Sequence, residues 1–354
     1  MTRLKDVARY ADVSVGTASG VLNGARNFAE ATRSRVLDAA SELGYTPNLV
    51  ARRIRRTPDF HERPRTNIIA NVTRMPDAIA PDPFVGSRSL LLAHLADAKG
   101  YYVLPLFYDR ATAFACPPVQ DGHVDGVLAG LPDIEIARRV AHLAPLVLMD
   151  VPFPPELLAE VPRVNFDIRQ GMRALAGNLA GLGHRRIAAL TMKQDDVFNY
   201  HGARCPLLLA ACENAALELH PGLSRNRLLS PQTHEQVMNE FVKEALPLIR
   251  AGEVTALMMI DDEYAIEMLT RLAAAGLRVP DDVSVTGFGA SPLSPWRPPL
   301  PLTTVGYPWP ALLDAALDLL IAEIVRRDHR QGEVLIRTEL LTAASTAAPR
   351  SGKA

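Results

Sequence analysis

The 354-residue sequence predicts a small all-helical head followed by a larger α/β domain built on parallel sheets. Three observations carry this prediction. Apolar residues recur at helical spacing through residues 4–43. After a charged, proline-containing stretch, short apolar runs alternate with helical stretches almost to the C-terminus. Charge is divided unevenly as well, with ten Lys/Arg against five Asp/Glu in residues 1–57 and 28 against 34 in the remainder, although the whole chain carries only −1. A basic head on an acidic body suits a nucleic-acid-binding module joined to a domain that binds something else.

Bulk properties narrow the classes. The chain is too long for one ordinary core, and 48% hydrophobic with 22% charged residues is globular composition. No apolar run approaches the roughly 18 residues of a membrane span. The opening MTRLKDVARYADVS lacks an apolar signal core, so a cytoplasmic protein without membrane association is expected. Cys116, Cys205 and Cys212 form no C-x-x-C pair, which suits a reducing compartment. Cys205 and Cys212 read as core fillers on one helix face. Neither a metal site nor a cofactor is expected.

In the head, Leu4, Val7, Ala8 and Ala11 mark one helix face. Val13-Ser14 interrupts it, with Ser14 placed to cap a second helix that runs to about Asn23-Gly24. Two short helices joined by a tight turn cross steeply and leave the second free to lie in the major groove. Val15, Gly16, Ser19 and Gly20 then form the reading face, while Ser14 and Thr17, near the helix N-terminus, suit phosphates. A third helix is expected over Glu30–Leu43, with Val36, Leu37, Ala40 and Leu43 inward and Thr32 and Arg33 near its start available to the DNA backbone.

The segments TRLKDVARYADVSVGTASGVLNG and ATRSRVLDAASELGYTPNLVARRIRR carry, in order, L-x-D-V-A, A-x-V-S-x-x-T, V-L-N, T-R-x-R-V, L-G-Y-x-P-N and a variant of A-R-x-L. Over about 56 residues this resembles the LacI/GalR family of repressors. The resemblance adds Leu4, Asn23, Tyr45, Asn48 and Ala51 to the candidate DNA-contacting residues. It also implies a hinge helix over about 48–56 in which Ile54 enters the minor groove as an apolar wedge, kinking the duplex. Taken alone, NLVARRIRR would make Ile54 a plain packing residue. One departure stands out: where the family commonly has T-V-S-R, this chain has Thr17-Ala18-Ser19-Gly20. No guanidinium is present at position 20 to pair with a guanine, so a shifted or weaker operator preference is expected.

Residues 58–65 read as a linker. Beyond them NIIANV, SLLLAHLADAKG, YYVLPLFY, DGVLAG, PLVLMDV, RVNFD, GMRALAGNLAGLGH, RRIAALTM, TALMMI, AIEMLTRLAAAGL and DVSVTGF alternate between strand and helix patterns, and ligands in such sheets sit at the carboxyl ends of the strands. The motifs VDGVLAG, LAGLGHRRIAALTM, AAAGLRVPDDVSVTGF and PPLPLTTV extend the LacI/GalR resemblance over nearly the whole chain. It implies a periplasmic-binding-protein-like domain over 66–346, with an N-lobe of about 66–165 and 307–331, a C-lobe of about 166–306 and 332–346, and a tail over 347–354.

Carried over singly, the effector-pocket candidates are Asp82 and Phe84 in Asp-Pro-Phe-Val, Asp150 at a strand end, Arg204, Asp262 in Ile-Asp-Asp, and Tyr307 where a polar residue is frequent. Such a set suits a small polar ligand, a sugar or sugar derivative. A structural ion pair between Arg204 and Asp262 is the competing reading. GFGAS in place of G-F-D-D marks a second departure from the family.

No catalytic residues are expected. Gly181-Leu182-Gly183 follows a helix and reads as a C-cap, not a dinucleotide loop. His234-Glu235 lacks the second histidine of H-E-x-x-H, and no G-x-S-x-G occurs. A periplasmic binder would not carry a basic helix-turn-helix. The family implies a homodimer on an inverted-repeat operator, joined through N-lobe surfaces including helix 88–98. The tail has no leucine heptads to build a tetramer.

Overall fold

The computed structural model describes residues 4–22, 28–43, 45, 65–74, 83–108, 117–130, 134–151, 161–190, 200–224, 233–291, 298–326 and 332–350. The chain divides into two compact units, Met1–Arg63 and Pro64–Ala354.

The first unit contains α1 (Leu4–Tyr10), α2 (Val15–Leu22) and α3 (Glu30–Glu42). Val7, Ala8 and Ala11 meet Ala18 and Val21 of α2 and Val36, Ala39 and Ala40 of α3 in one small core. Small residues dominate this core, so the helices pack closely without long side chains. On α3 the inward set differs from the expected one, because Leu37 is exposed and Ala39 is buried. Ala39 lies three residues from Val36, on the same helix stripe, whereas Leu37 is turned about 100° away. Ser14 caps α2 as expected, its Oγ accepting from Thr17 N at 3.0 Å.

The second unit contains two parallel sheets. The first has strand order β11-β5-β4-β3-β1-β2, with β1 Ile68–Arg74, β2 Tyr102–Tyr108, β3 Gly126–Ala129, β4 Leu146–Met149, β5 Arg163–Phe166 and β11 Glu333–Ile336. Its helices are α4 (Pro83–Ala98), α5 (Pro117–Gln120), α6 (Ile134–Ala141) and α11 (Trp309–Arg326). The second sheet has order β7-β6-β8-β9, with β6 Arg186–Leu190, β7 Glu218–Leu219, β8 Ala256–Met259 and β9 Ser284–Thr286. With it go α7 (Ile168–Gly181), α8 (Tyr200–Asn214), α9 (His234–Arg250) and α10 (Asp262–Ala274). An antiparallel ribbon of β10 (Thr304–Gly306) and β12 (Glu339–Leu341) completes the unit. β3, β4 and β8 are buried at every residue, the continuous apolar pattern of a sheet covered on both faces.

The chain passes between the lobes three times, after β5, after β10 and after β11. Backbone bonds hold these crossings: Asp167 N donates to Ile336 O at 2.8 Å, joining the first to the third, and Tyr307 N donates to Ala290 O at 2.7 Å, joining the second to the turn after β9. Two expected boundaries move. Residues 333–336, expected in the C-lobe, form the edge strand β11 of the first sheet, where Glu333 lies opposite Arg163 and pairs with it at 2.9 Å. The tail expected from 347 onward is anchored through Arg350, because Ala347 O accepts from His184 Nε2 at 3.0 Å and Arg350 pairs with Asp282 at 2.6 Å. Gly183, with φ +101°, ends α7 as a left-handed cap residue, as the sequence suggested.

The V-D-G motif has a structural cause. The Asp125 carboxylate accepts from Thr66 N at 2.7 Å, Thr66 Oγ1 at 2.8 Å and Asn67 N at 2.7 Å, fixing the start of β1. At Gly126 a Cβ would come within 2.9 Å of Leu320 and Ile324, so its absence lets α11 rest on β3. Asp125→Ala strips a buried acceptor from three donors. We expect a loss of about 3 kcal/mol in urea unfolding of the full chain, with an unchanged m-value.

Candidate functional site

Where the two lobes meet, the carboxyl ends of β4, β5, β8, β9 and β10 deliver Asp150, Phe166, Asp261, the Gly287–Gly289 turn and Tyr307 toward Arg204 of α8. Arg204 is 7% exposed. Its Nη1 donates to Asp261 Oδ2 at 2.8 Å and to Ile260 O at 2.9 Å. The guanidinium lies 5.5 Å from the Phe288 ring centroid and 5.6 Å from that of Tyr307. Tyr307 in turn stacks on Phe166 at 4.2 Å, with the rings 4° from parallel.

Two buried polar atoms here lack hydrogen-bond partners: Arg204 Nε and the Tyr307 hydroxyl. In an apolar surround an unmet donor is unfavourable by about 1–3 kcal/mol, so both atoms are poised for a polar group from elsewhere. Gly289 adopts φ +99°, and a Cβ there would stand within 3.6–3.9 Å of Tyr307, Arg204 and Asp261. The replacement of G-F-D-D by GFGAS thus places a backbone-only residue against the cluster.

Charge is tuned by burial throughout the cluster. Burial disfavours the Arg204 charge, but Tyr307, Asp261 and Asp150 outweigh it and hold the guanidinium charged. Burial raises the Asp150 carboxyl despite the attraction of Arg204 and Arg88. Asp150 also has φ +50°, an uncommon conformation for a non-glycine residue and one found at binding sites. Burial likewise pushes Asp262 up to about 6 and raises the Tyr307 phenol.

Of the pocket candidates, Asp150, Arg204 and Tyr307 come together. Asp262 does so only in part. It hydrogen-bonds Thr304 Oγ1 at 2.5 Å, while the Arg204 ion pair goes to its neighbour Asp261. The Arg204–Asp262 ion pair of the competing reading is therefore not the one formed, and Arg204 pairs with Asp261. Asp261 is the α10 N-cap, accepting from Glu263 N at 3.0 Å, and that extended backbone turns its second oxygen toward Arg204 while Asp262 begins the helix. An acidic pair at a strand-to-helix junction signals a cap followed by a first-turn residue, and that signal was available in Ile-Asp-Asp. Phe166 and Phe288 were not singled out from sequence, where each reads as ordinary strand core. Asp82 lies outside the described residues, and of Phe84 only the backbone, within α4, is described.

In the head, Val15 and Gly16 are exposed and Thr17, Ser19 and Gly20 are half-buried, on or beside the outward side of α2. The hydroxyls of Ser14 and Thr17 lie 2.9 Å apart at the α2 N-terminus. Leu4 and Tyr45 pack against the head core, and Thr32 is half-buried in the first turn of α3. Asn23, Asn48, Ala51 and Ile54 lie outside the described residues.

This geometry agrees with the comparisons. The family model described as bacterial regulatory proteins, lacI family, matches residues 3–48, and that described as periplasmic binding protein-like domain matches residues 176–346. This chain is a LacI-family transcriptional regulator. The LacI-family chain is 26% identical to the HTH-type transcriptional repressor PurR of Aliivibrio fischeri (strain MJ11), over 98% of each chain. It is 27% identical to the HTH-type transcriptional regulator DegA of Bacillus subtilis (strain 168), over 87% of each. Among solved structures it resembles the transcriptional regulator CelR–cellobiose complex, with TM-score 0.65 and 26% identity over 98% of this chain and 100% of that one. It also resembles the lac repressor dimer bound to operator and the anti-inducer ONPF, with TM-score 0.66 and 25% identity over 98% and 99%. These relatives are transcriptional repressors and regulators, not enzymes. Among the described residues no helix is long and apolar enough to cross a membrane.

Asp262 makes the stability of this regulator pH-dependent. Its carboxyl rises from 3.8 to about 6, so between those values the folded chain keeps a proton that the unfolded chain has released. The stabilisation is full below the lower value and is lost as pH rises through the upper one. Relative to Asp262→Asn, which keeps an acceptor for Thr304, the wild type should lose about 2 kcal/mol between pH 4 and pH 7. Equal slopes in pH-dependent urea titrations would contradict this.

Proposed function

We propose that this regulator works in the cytoplasm as a homodimer that holds an inverted-repeat operator and changes its grip when a small polar effector, a sugar or sugar derivative, binds between the two lobes at the Arg204 cluster. The observation that carries the proposal is the pair of partnerless buried atoms, Arg204 Nε and the Tyr307 hydroxyl. Both stand where strand ends of the two lobes converge, the usual ligand position in parallel sheets. Phe166, Tyr307 and Phe288 pack ring against ring around that cluster, an apolar backing for a ligand that reaches it. Asp150 comes from the first lobe and Asp261 from the second, so one ligand contacting both would favour a closed arrangement.

Cellobiose in the CelR complex supports a carbohydrate as the first ligand class to test. Dimerisation is supported by the operator-bound lac repressor dimer that the chain resembles and by Leu90, 75% exposed on α4 within the helix expected at the interface. The α2 N-terminus, with Ser14 and Thr17, would engage a phosphate, and the candidate residues Leu4, Val15, Gly16, Ser19, Gly20, Asn23, Thr32, Tyr45, Asn48, Ala51 and Ile54 would complete the DNA contact.

A thermal-shift screen of mono- and disaccharides, sugar acids and sugar phosphates should find a ligand that stabilises the second unit by about 2.7 kcal/mol at a hundredfold excess over its Kd. Arg204→Met should abolish that shift and leave gel-shift affinity for the operator without ligand within about threefold of wild type, since Arg204 belongs to the second unit and the DNA-contact candidates to the first. Loss of operator binding together with retained ligand response would count against the assignment. Leu90→Glu should move the protein toward monomer in sedimentation and weaken operator binding at least tenfold, because one head alone holds half a site.

A further inference from the structure

Position 20 of the reading helix is covered, although it carries no side chain. The inward face of α2 is set by Ala18 and Val21, both in the head core. At about 100° per residue, position 20 lies roughly 200° from Ala18, toward the side away from that core. A residue there would be expected to stand in solvent, yet Gly20 is half-buried. The cause is Phe28. A Cβ built on Gly20 would stand 2.6 Å from Cε2 and 2.7 Å from Cζ of the Phe28 ring. Phe28 is itself half-buried and packs against the head core, so the ring is anchored as well as adjacent.

We propose that Phe28 is a specificity-determining residue for the operator. Its ring lies across the outward face of α2 at Gly20 and offers an apolar edge to the C5-methyl of a thymine in the major groove. Glycine is required at position 20 because any side chain there would displace the ring. Apolar contact with a thymine methyl is one of the direct readout modes of the major groove, and it needs no hydrogen-bonding group. The proposal rests on α2 being the helix that enters the groove.

The test begins with selection of operator sites from random duplexes by the full-length protein. Quantitative gel shifts then compare the selected site with versions in which each thymine is replaced by uracil, which removes the methyl and leaves pairing intact. For the wild type, at least one thymine per half-site should lose about fourfold in affinity on replacement, the equivalent of one buried methyl. Phe28→Val, which keeps an apolar residue for the head core, should lose the uracil sensitivity at that position. Gly20→Ala should lose it too, by pushing the ring aside with every core residue unchanged in identity, and the double variant should lose no more than either single one. If Phe28→Val does not fold by circular dichroism, Gly20→Ala decides. A wild type that selects no sequence overturns the groove-reading premise, and the proposal with it. A wild type that selects a site whose uracil sensitivity is unchanged in the variants overturns the role of Phe28 alone.

Discussion

Taking a guanidinium out of water is unfavourable by several kcal/mol unless its charge and its N–H groups are met, and the cleft of this repressor is organised around doing so for Arg204. Asp261 and the Ile260 carbonyl meet one nitrogen. The faces of Phe288 and Tyr307 flank the plane, and Phe166 backs Tyr307. These groups come from strand ends in both lobes and from two of the three crossings, so one buried charge fixes how the crossings lie. The accommodation is incomplete by one N–H and one hydroxyl, the two groups on which the proposed effector site rests.

The head solves a different problem with little material. Its core is almost wholly alanine and valine, which supplies close helix packing but limited burial. Local bonds therefore matter more, and Ser14 illustrates this: its hydroxyl satisfies the amide of Thr17 and holds that side chain beside its own at the helix start. The second unit uses such bonds too, as at the Asp261 cap, but there whole strands are buried as well.

The alternation of apolar runs made the parallel sheets legible, and the ordered motifs made the head legible down to the cap. The failures were of two physical kinds. Glu333–Ile336 was assigned to the wrong lobe because a short edge strand joins its sheet through a register and an ion pair with Arg163, neither of which leaves a periodic trace. Asp261 was passed over in favour of Asp262 because adjacent carboxylates look alike in a sequence, while the backbone turn between β8 and α10 sends them to different partners. Gly20 is a subtler case. Its lack of a side chain was evident, but the ring that covers it comes from eight residues further on, at a distance helical periodicity does not reach.

The three crossings also impose an order on how the protein is made. Neither lobe is a continuous stretch of chain. The first sheet waits for β11 at residues 333–336, and the second lobe waits for Ser345 and Ala347, which bond Val285, Thr303 and His184. A ribosome therefore releases the basic head, whose described core lies within residues 4–45, long before the second unit can close either of its cores. During synthesis the nascent chain carries a finished head core ahead of two unfinished lobes, and residues 333–347 complete both lobes together.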